Sequence, residues 1–588
     1  MATVIQNLVM PNLAFGVPPE MYVRAENRAC IRYNDGSIRF EKGGIARFDT
    51  YFNGVTVDRY REHCEIRDLF LSLTGIGQFV IRFALHRAGF ANRVLYEQQV
   101  TLSAGSPAEI DMPFWSGLDG GILYFCIEAL DEGEISGGYF GTQTEPRTDV
   151  KLGIVITHFD RKRYVLPAIK RIREQLLNDA AFRGKIELVV VDNSQNIEPS
   201  EAQGVTLLPN KNLGGSGGFT RGLLHLKDDG SFTHCLFMDD DASCEVESIK
   251  RAYVLLSYAK TPKFAVAGAL LREIETFRLF EKGARFDGVC HPLKSGLDMR
   301  SPEQLVYAEH RKERDPNYGA WWFFAYALED VQYLPFPFFV RGDDIMFSLL
   351  NKFNIMTMNG ICCWGEDFGL KSGPLPIYLD VRSLLMQRIT HGGCSLTSTV
   401  KMLVAFFFFA VFSYNYATAK AVCKAIGDFC KGEKFWLENM DTVDIRREVG
   451  ALTPSEKMSA LDRATYALDE SDLVIEGRFR TFVRLLSLNG FLLPRFLLKD
   501  ATVFQQKGFR GTLRQVFRYK SVFYQYQPTG VGYIAHHDKT EFVRSLAEFI
   551  KVMTKFARSY GRLRAEYQAA LPKLTSEKFW RDVYGTTD

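Results

Sequence analysis

From residue 1 to about 150, hydrophobic and polar positions alternate along the chain. "SIRFEKGGIARFDTYFNGVTV" (37–57) keeps a two-residue period between Gly-containing breaks. "LFLSLTGIGQFVIRFAL", "ANRVLYEQQVTLS" and "GGILYFCIEAL" repeat it at short spacing. Such alternation predicts an all-β sandwich or jelly-roll-like domain over 1–150. Near residue 151 the texture changes. "KLGIVITHFDR" is a continuous apolar strand running into a loop, "YVLPAIKRIREQLLNDAAFRG" is an amphipathic helix, and "KIELVVVDNSQN" is a second buried strand. Strands alternating with helices predict a parallel α/β sheet over 151–395. After about residue 396 helical periodicity dominates, as in "DKTEFVRSLAEFIKVMTKFARSYGRLRAEYQAAL", so 396–588 reads as a mainly helical domain. "MLVAFFFFAVFSYNYATA" (402–419) comes close to membrane-spanning length, but its polar residues favour a buried helix.

Ligands of parallel α/β sheets collect at the carboxyl ends of the strands. Thr157, His158, Phe159, Asp160 and Arg161 lie at the first such end, and Asp192 and Asn193 at the second. At another, the run from Cys235 to Met238 stops in Asp239, Asp240 and Asp241. A single Asp there is an ordinary turn or helix-capping residue. Three adjacent carboxylates repel one another unless a cation sits among them, and two carboxylates with substrate phosphates suit Mg²⁺. Just upstream, "PNKNLGGSGGFTRGLLH" (209–225) brings Gly214 and Gly215, which let backbone approach a ligand closely, although it lacks the spacing of a phosphate loop. A second acidic pair, Asp343 and Asp344, opens the helical pattern of "FFVRGDDIMFSLL". One Asp would serve as an N-cap; two suggest that one is a general base. Trp321 and Trp322 in "NYGAWWFFAYAL" are either core or an aromatic platform.

Length and composition narrow the choice. The 588 residues exceed a single core. A net charge of +3 makes nucleic acid a poor partner for the chain as a whole. The 13% aromatic content, led by 47 Phe, suits sheets and sites that stack sugars or bases. The 11 cysteines form no CxxC pair and read as buried reduced thiols, and the N-terminal residues carry no secretory pattern, so a cytoplasmic protein is expected. Residues 478–520 are strongly basic and aromatic, with Asp500 the only acid. This is either a solvated helical face or a surface for anionic lipid headgroups or a lipid-linked pyrophosphate. It could also support self-association into a homo-oligomer.

Taken in order, "NLGGSGGFTRG", "FMDDDA", "GAWWFFA" and "RGDDIMFSLL" resemble one family: inverting nucleotide-sugar glycosyltransferases of the GT-A type, and among them the bacterial galactofuranosyltransferases that build galactan. The resemblance is strongest over 151–390. It implies a Rossmann-like GT-A central domain between the β-rich and helical regions. It implies UDP-galactofuranose as donor and a saccharide acceptor, lipid-linked and at the inner membrane face. It further implies Asp239 and Asp241 as the carboxylates that hold Mn²⁺ or Mg²⁺, with Asp240, Thr157, Phe159, Arg161, Asp192, Asn193, Gly214 and Gly215 around the nucleotide. Asp344 corresponds to the general base, and Asp343, Trp321 and Trp322 to the acceptor site. Two departures stand out. The family's tryptophan–histidine metal segment reads Trp364–Gly365 here, leaving Glu366, Asp367 or His391 as a third ligand. Of its Tyr-Phe-x-x-Arg-Asn segment only Tyr378 and Arg382 remain. Competing expectations are another nucleotide sugar, a non-catalytic carbohydrate-binding scaffold, and a metal-dependent nucleotidyl or phosphoryl transferase.

Overall fold

The computed structural model describes residues 2–310, 315–366, 371–390, 393–461, 463, 466, 468–469, 476–507, 513–526 and 528–585. Residues Thr3 to Thr142 fold into an eleven-stranded antiparallel assembly. Its organiser is the strand Phe70–His86, whose first half pairs with Gly133–Thr142 and whose second half pairs with Ile122–Ala129 and Arg93–Leu102. One strand thereby serves both layers, and the partner backbone comes so close at Gly75 that a Cβ there would meet the Glu134 carbonyl at 2.1 Å. The helix Val57–His63 projects from this unit towards the next.

The central region is a mixed seven-stranded sheet. Its elements in chain order are β1 (Leu152–His158), α1 (Lys162–Ile172), β2 (Ile186–Asp192), β3 (Thr206–Pro209), α2 (Gly214–Asp229), β4 (His234–Asp239), α3 (Val246–Tyr258) and β5 (Phe264–Ala267). Then come β6 (Ala269–Arg272), β7 (Leu279–Glu281), α4 (Pro302–Glu309), β8 (Phe324–Ala327), α5 (Asp343–Asn351), β9 (Asn354–Met356) and β10 (Cys362–Gly365). The sheet order is β3-β2-β1-β4-β8-β5-β9, parallel from β3 to β4 and turned antiparallel by β8. Strands β7, β6 and β10 form a small flanking sheet. The apolar runs predicted as strands are buried on both faces, as a helix-covered sheet requires. One hydrophobic core runs without a break from Phe83 and Phe125 of the β unit to Ile154 and Leu236 of the sheet. The two regions are therefore welded together.

The C-terminal region is mainly helical and also carries a small sheet that the helical periodicity did not announce. Helices α6 (Pro374–Thr390), α7 (Leu396–Phe412) and α8 (Tyr416–Phe429) pack with α10 (Lys539–Leu574), and α11 (Glu577–Tyr584) ends the described chain; α9 (Arg478–Leu486) lies between. A four-stranded sheet is built from Leu468–Asp469, Lys499–Gln506, Tyr519–Gln525 and Gly532–His536. The basic stretch 478–520 is thus a short helix followed by strands, and Arg510 within it lies outside the described residues. The apolar stretch 402–419 divides between α7 and α8 at Ser413–Asn415, where Tyr414 adopts φ 63°. Among the described residues no helix is long and apolar enough to cross a membrane. The cysteines are free thiols, most of them buried, with Cys30 and Cys290 at the surface.

Candidate active site

The register of the sheet assembles the site. Thr157 lies beside Asp239 across β1 and β4, and His158 beside Asp192 across β1 and β2. Residues far apart in sequence therefore end on one edge. Asp192 is buried, and its two carboxylate oxygens accept from the backbone N–H groups of Ser194, Gln195, Asn196 and Ile197 and from the Ser194 hydroxyl. Burial raises its pKa, but the Ile197 N–H, the Ser194 donors and the other charge-favouring contacts hold it below the usual range. Asp192 is an ionised loop organiser with its acceptor capacity filled. Asn193 donates to the Gly214 carbonyl at 3.1 Å and accepts from Asn210 at 2.8 Å, which ties this loop to the start of α2. Phe159 stands exposed at the rim.

The three aspartates differ from one another. Asp240 is buried, 3.3 Å from His158 Nδ1 and 3.3 Å from Arg161. Burial lowers the pKa of His158, yet hydrogen bonds to Asp240 and Asn196 outweigh it and raise it. Asp241 is paired with Arg161 at 2.6 Å and Lys371 at 3.3 Å. Asp239 makes no side-chain hydrogen bond or ion pair among the described residues, and the more distant charges of Lys371 and Arg161 favour its ionised form. Burial, then the charges of Asp241 and Asp240, push it up to about 7.

The glycine segment brings the second acidic pair to the first. Gly214 has φ +69°, and a Cβ there would meet the Phe339 carbonyl at 2.1 Å. Ser216 N–H donates to that carbonyl at 3.0 Å, and Ser216 Oγ donates to Asp343 at 3.0 Å. A Cβ at Gly215 would sit 3.3 Å from Asp343. These glycines thus admit the Asp343 loop rather than only a ligand. The loop itself is strained, with positive φ at both Phe339 and Arg341, and neither is glycine. Helix α6 holds it: Arg382 donates to the Phe338 carbonyl, Gln387 donates to the Gly342 carbonyl at 2.9 Å, and Arg341 pairs with Asp380 at 2.7 Å. Tyr378 bonds to Asp428 at 2.8 Å behind it. Burial pushes Asp343 up to about 6, and burial with the Asp343 charge pushes Asp344 up to about 8; Asp344 also feels Asp239.

Trp321 and Trp322 are 5% and 8% exposed, so they are chiefly core. Trp321 packs edge-on against Phe219, Phe237 and Phe347, its indole N–H without a partner, while Trp322 donates to the Gly268 carbonyl at 3.0 Å. Of the candidate third ligands, Glu366 lies 3.8 Å from the Lys371 ammonium, and Asp367 and His391 lie outside the described residues. Among the described residues no three His, Cys, Asp or Glu side chains converge as a metal cage. The oxygen donors of unpaired Asp239 and nearby Asp241 do fit a hard cation that takes its remaining ligands from phosphate and water.

Sequence reasoning missed Ser216 and Glu281, and placed His158 at the first strand end without giving it a role. Glu281, at the end of β7, pairs with Leu270 through its backbone; its carboxyl is buried, makes no hydrogen bond among the described residues, and is pushed up to about 8 by burial and by Asp344. It sits in a three-residue strand without a motif.

Residues 153–314 match glycosyl transferase family 2. The galactofuranosyltransferase GlfT2 of Mycolicibacterium smegmatis is 24% identical over 91% of this chain and 88% of its own length. That of Mycobacterium tuberculosis is 24% identical over 66% and 65%. A mannosyltransferase of Pyrobaculum calidifontis, solved with GDP-Man and Mn²⁺, superimposes with a TM-score of 0.28 at 13% identity, covering 53% of this chain and 88% of that one. The chain is a glycosyltransferase whose residues 153–314 match family 2 and which is similar along most of its length to the galactofuranosyltransferase of Mycolicibacterium smegmatis.

Proposed function

We propose that the protein transfers galactofuranose from UDP-galactofuranose to a hydroxyl of a growing polysaccharide, with inversion at the anomeric carbon. The observation that carries this reading is the meeting of three motifs at one sheet edge: the Asp239–Asp241 strand end, the glycine segment and the Asp343–Asp344 helix start. Asp239 and Asp241 would hold a divalent cation, Mn²⁺ or Mg²⁺, which neutralises charge on the departing diphosphate. Arg161 and Lys371 add positive charge at the same place. Thr157, Phe159, Arg161, Asn193 and the Gly214–Gly215 turn surround the nucleotide, and Asp192 shapes their loop. Asp344 takes the proton of the acceptor hydroxyl as its oxygen attacks the anomeric carbon and the C–O bond to UDP breaks. Its raised pKa suits a base working near neutral pH. Asp343, fixed by Ser216, orients the acceptor.

The acceptor is read as lipid-linked because of α9. Its Phe479, Phe482, Leu485 and Leu486 are exposed, Phe479 by 80%, while Arg480 and Arg484 turn inward onto Glu476. Such an inside-out helix flanked by exposed Arg478 and Arg495 suits an anionic bilayer surface. The test of the function is transfer from UDP-galactofuranose to a short galactofuranosyl acceptor. Asp344→Asn should lose about 10²- to 10⁴-fold in kcat while still binding UDP. An unimpaired variant would remove Asp344 from the base role, and UDP binding without transfer by the wild type would point to another donor sugar.

A further inference from the structure

The turn that enters α5 is held in an unfavourable backbone conformation. Phe339 has φ +73° and Arg341 φ +70°, and Gly342, the residue before Asp343, has φ +91°. In the left-handed region the Cβ of a bulky residue crowds its own backbone. Two such residues within three positions persist only where the surroundings fix them. No strand pairing does so, because 336–342 belong to neither a strand nor a helix. Met346 and Phe347 anchor the middle of α5 in the core, downstream of the turn.

The fixing contacts come from α6. Gln387 Nε2 donates to the Gly342 carbonyl at 2.9 Å. Arg341 donates to both carboxylate oxygens of Asp380, at 2.9 and 2.7 Å. Arg382 donates to the Phe338 carbonyl. Asp380, Ser383 and Gln387 are spaced i, i+3, i+7 and so share one face of the helix. The last two stand so close that a Cβ at Gly342 would meet Gln387 Nε2 at 2.5 Å and Ser383 Cβ at 3.0 Å. Helix α2 adds the Ser216 N–H, which donates to the Phe339 carbonyl at 3.0 Å.

Gln387 is fully buried, and its Oε1 has no hydrogen-bond partner among the described residues. A buried acceptor left unmet is destabilising, and an apolar side chain of similar length would avoid it. The Gly342 carbonyl does not need the amide, because the Met346 N–H also donates to it at 3.0 Å. Stability therefore gives no reason for glutamine here. What the amide adds is a tether on the carbonyl from which α5 begins.

We propose that Gln387 and the Arg341–Asp380 pair are positioning residues: they hold the 339–342 turn in its strained form and so set where α5 presents Asp343 and Asp344. Only the role of Asp344 rests on the transfer reading; the bracing of the turn stands apart from it. The C-terminal region thus enters the site through α6, as a brace on the base-bearing helix that does not itself touch substrate.

The test uses the full chain with Gln387→Met, Asp380→Asn, Phe339→Gly and the double variant Phe339→Gly with Gln387→Met. In Gln387→Met, hydrogen exchange of peptides covering 336–346 should quicken about tenfold while peptides covering 234–239 keep their rate. Transfer kcat should fall about tenfold with UDP affinity and the urea midpoint unchanged. Asp380→Asn weakens the second tether and should give the same pattern at about threefold. Glycine at 339 removes part of the strain that the brace opposes. In the Phe339→Gly background Gln387→Met should therefore cost only about twofold in kcat. Unchanged exchange at 336–346 would overturn the proposal whatever sugar is transferred. So would a urea midpoint that falls in step with kcat, which would make Gln387 merely structural, or an undiminished tenfold loss in the glycine background. Absence of transfer by the wild type would count against the glycosyl-transfer reading alone, because exchange in the single and double variants still decides the bracing.

Discussion

Replacing Asp239 by Asn should make the metal-free protein more stable while disabling the site. Asp240 and Asp241 are in direct contact with cationic side chains, whereas Asp239 makes no ion pair among the described residues and feels Lys371 and Arg161 only at longer range. Burial and its two neighbours move its carboxyl from 3.8 to about 7. A pKa raised in the folded state means that the folded protein binds that proton more tightly than the unfolded chain. The ionised form is therefore a liability above about pH 7, and this liability fades as pH falls towards the unfolded value near 4. The full displacement corresponds to a ceiling of about 4 kcal/mol at 1.4 kcal/mol per pH unit, shared with the coupled carboxylates, so about 2 kcal/mol is expected for Asp239. The assay is urea unfolding with chelator present, at pH 8, 6 and 4.5. Asp239→Asn should be stabilised by about 2 kcal/mol at pH 8 and close to wild type at pH 4.5. At pH 8, Mn²⁺ with UDP should raise the stability of the wild type and leave the variant unmoved. A variant that is less stable at pH 8, or whose advantage grows as pH falls, would refute the charge assignment.

Asp192→Ala should cost about 3 kcal/mol and sharply weaken UDP binding, because four backbone N–H groups and a hydroxyl lose a charged acceptor; denaturation and calorimetry read both. Gly218→Ala should destabilise by about 1–3 kcal/mol, since its Cβ would meet Thr157 Cγ2 at 2.2 Å and push α2 off the end of β1; a melting curve reads the first effect and UDP affinity the second. The pH profile of kcat/KM should rise with pH and level off above about 8 as Asp344 ionises, and a profile falling over that range would exclude it as the base. Phe479→Ser with Phe482→Ser should release the full chain from phosphatidylglycerol vesicles in a sedimentation assay without altering its thermal melt; retention would remove α9 as the docking element.

How much of this was legible in the sequence depended on whether one residue's neighbours in the chain are also its neighbours in space. The strand ends were legible because a helix-covered sheet imposes continuous apolar runs, and those runs stop where the chain meets solvent. Thr157, Asp192 and Asp239 could be placed together for that reason. The tryptophans were less so, since local sequence gives a core indole and a platform indole the same surroundings, and the packing against Phe219 and Phe347 comes from distant elements. In the C-terminal region the strands Lys499–Gln506 and Tyr519–Gln525 carry as many basic and polar residues as the helices around them, which hid the period. Glu281 could not be found at all, because what marks it is its burial and the charge of Asp344, which belongs to a distant element of the chain. The same relations explain why the glycines matter twice. A glycine-rich segment read alone suggests room for a phosphate; placed against the Phe339 carbonyl and Asp343 it also makes room for the base-bearing helix. A side chain at Gly214 would therefore be expected to separate the two acidic pairs before it obstructed any ligand, and with that separation Asp344 would cease to feel Asp239.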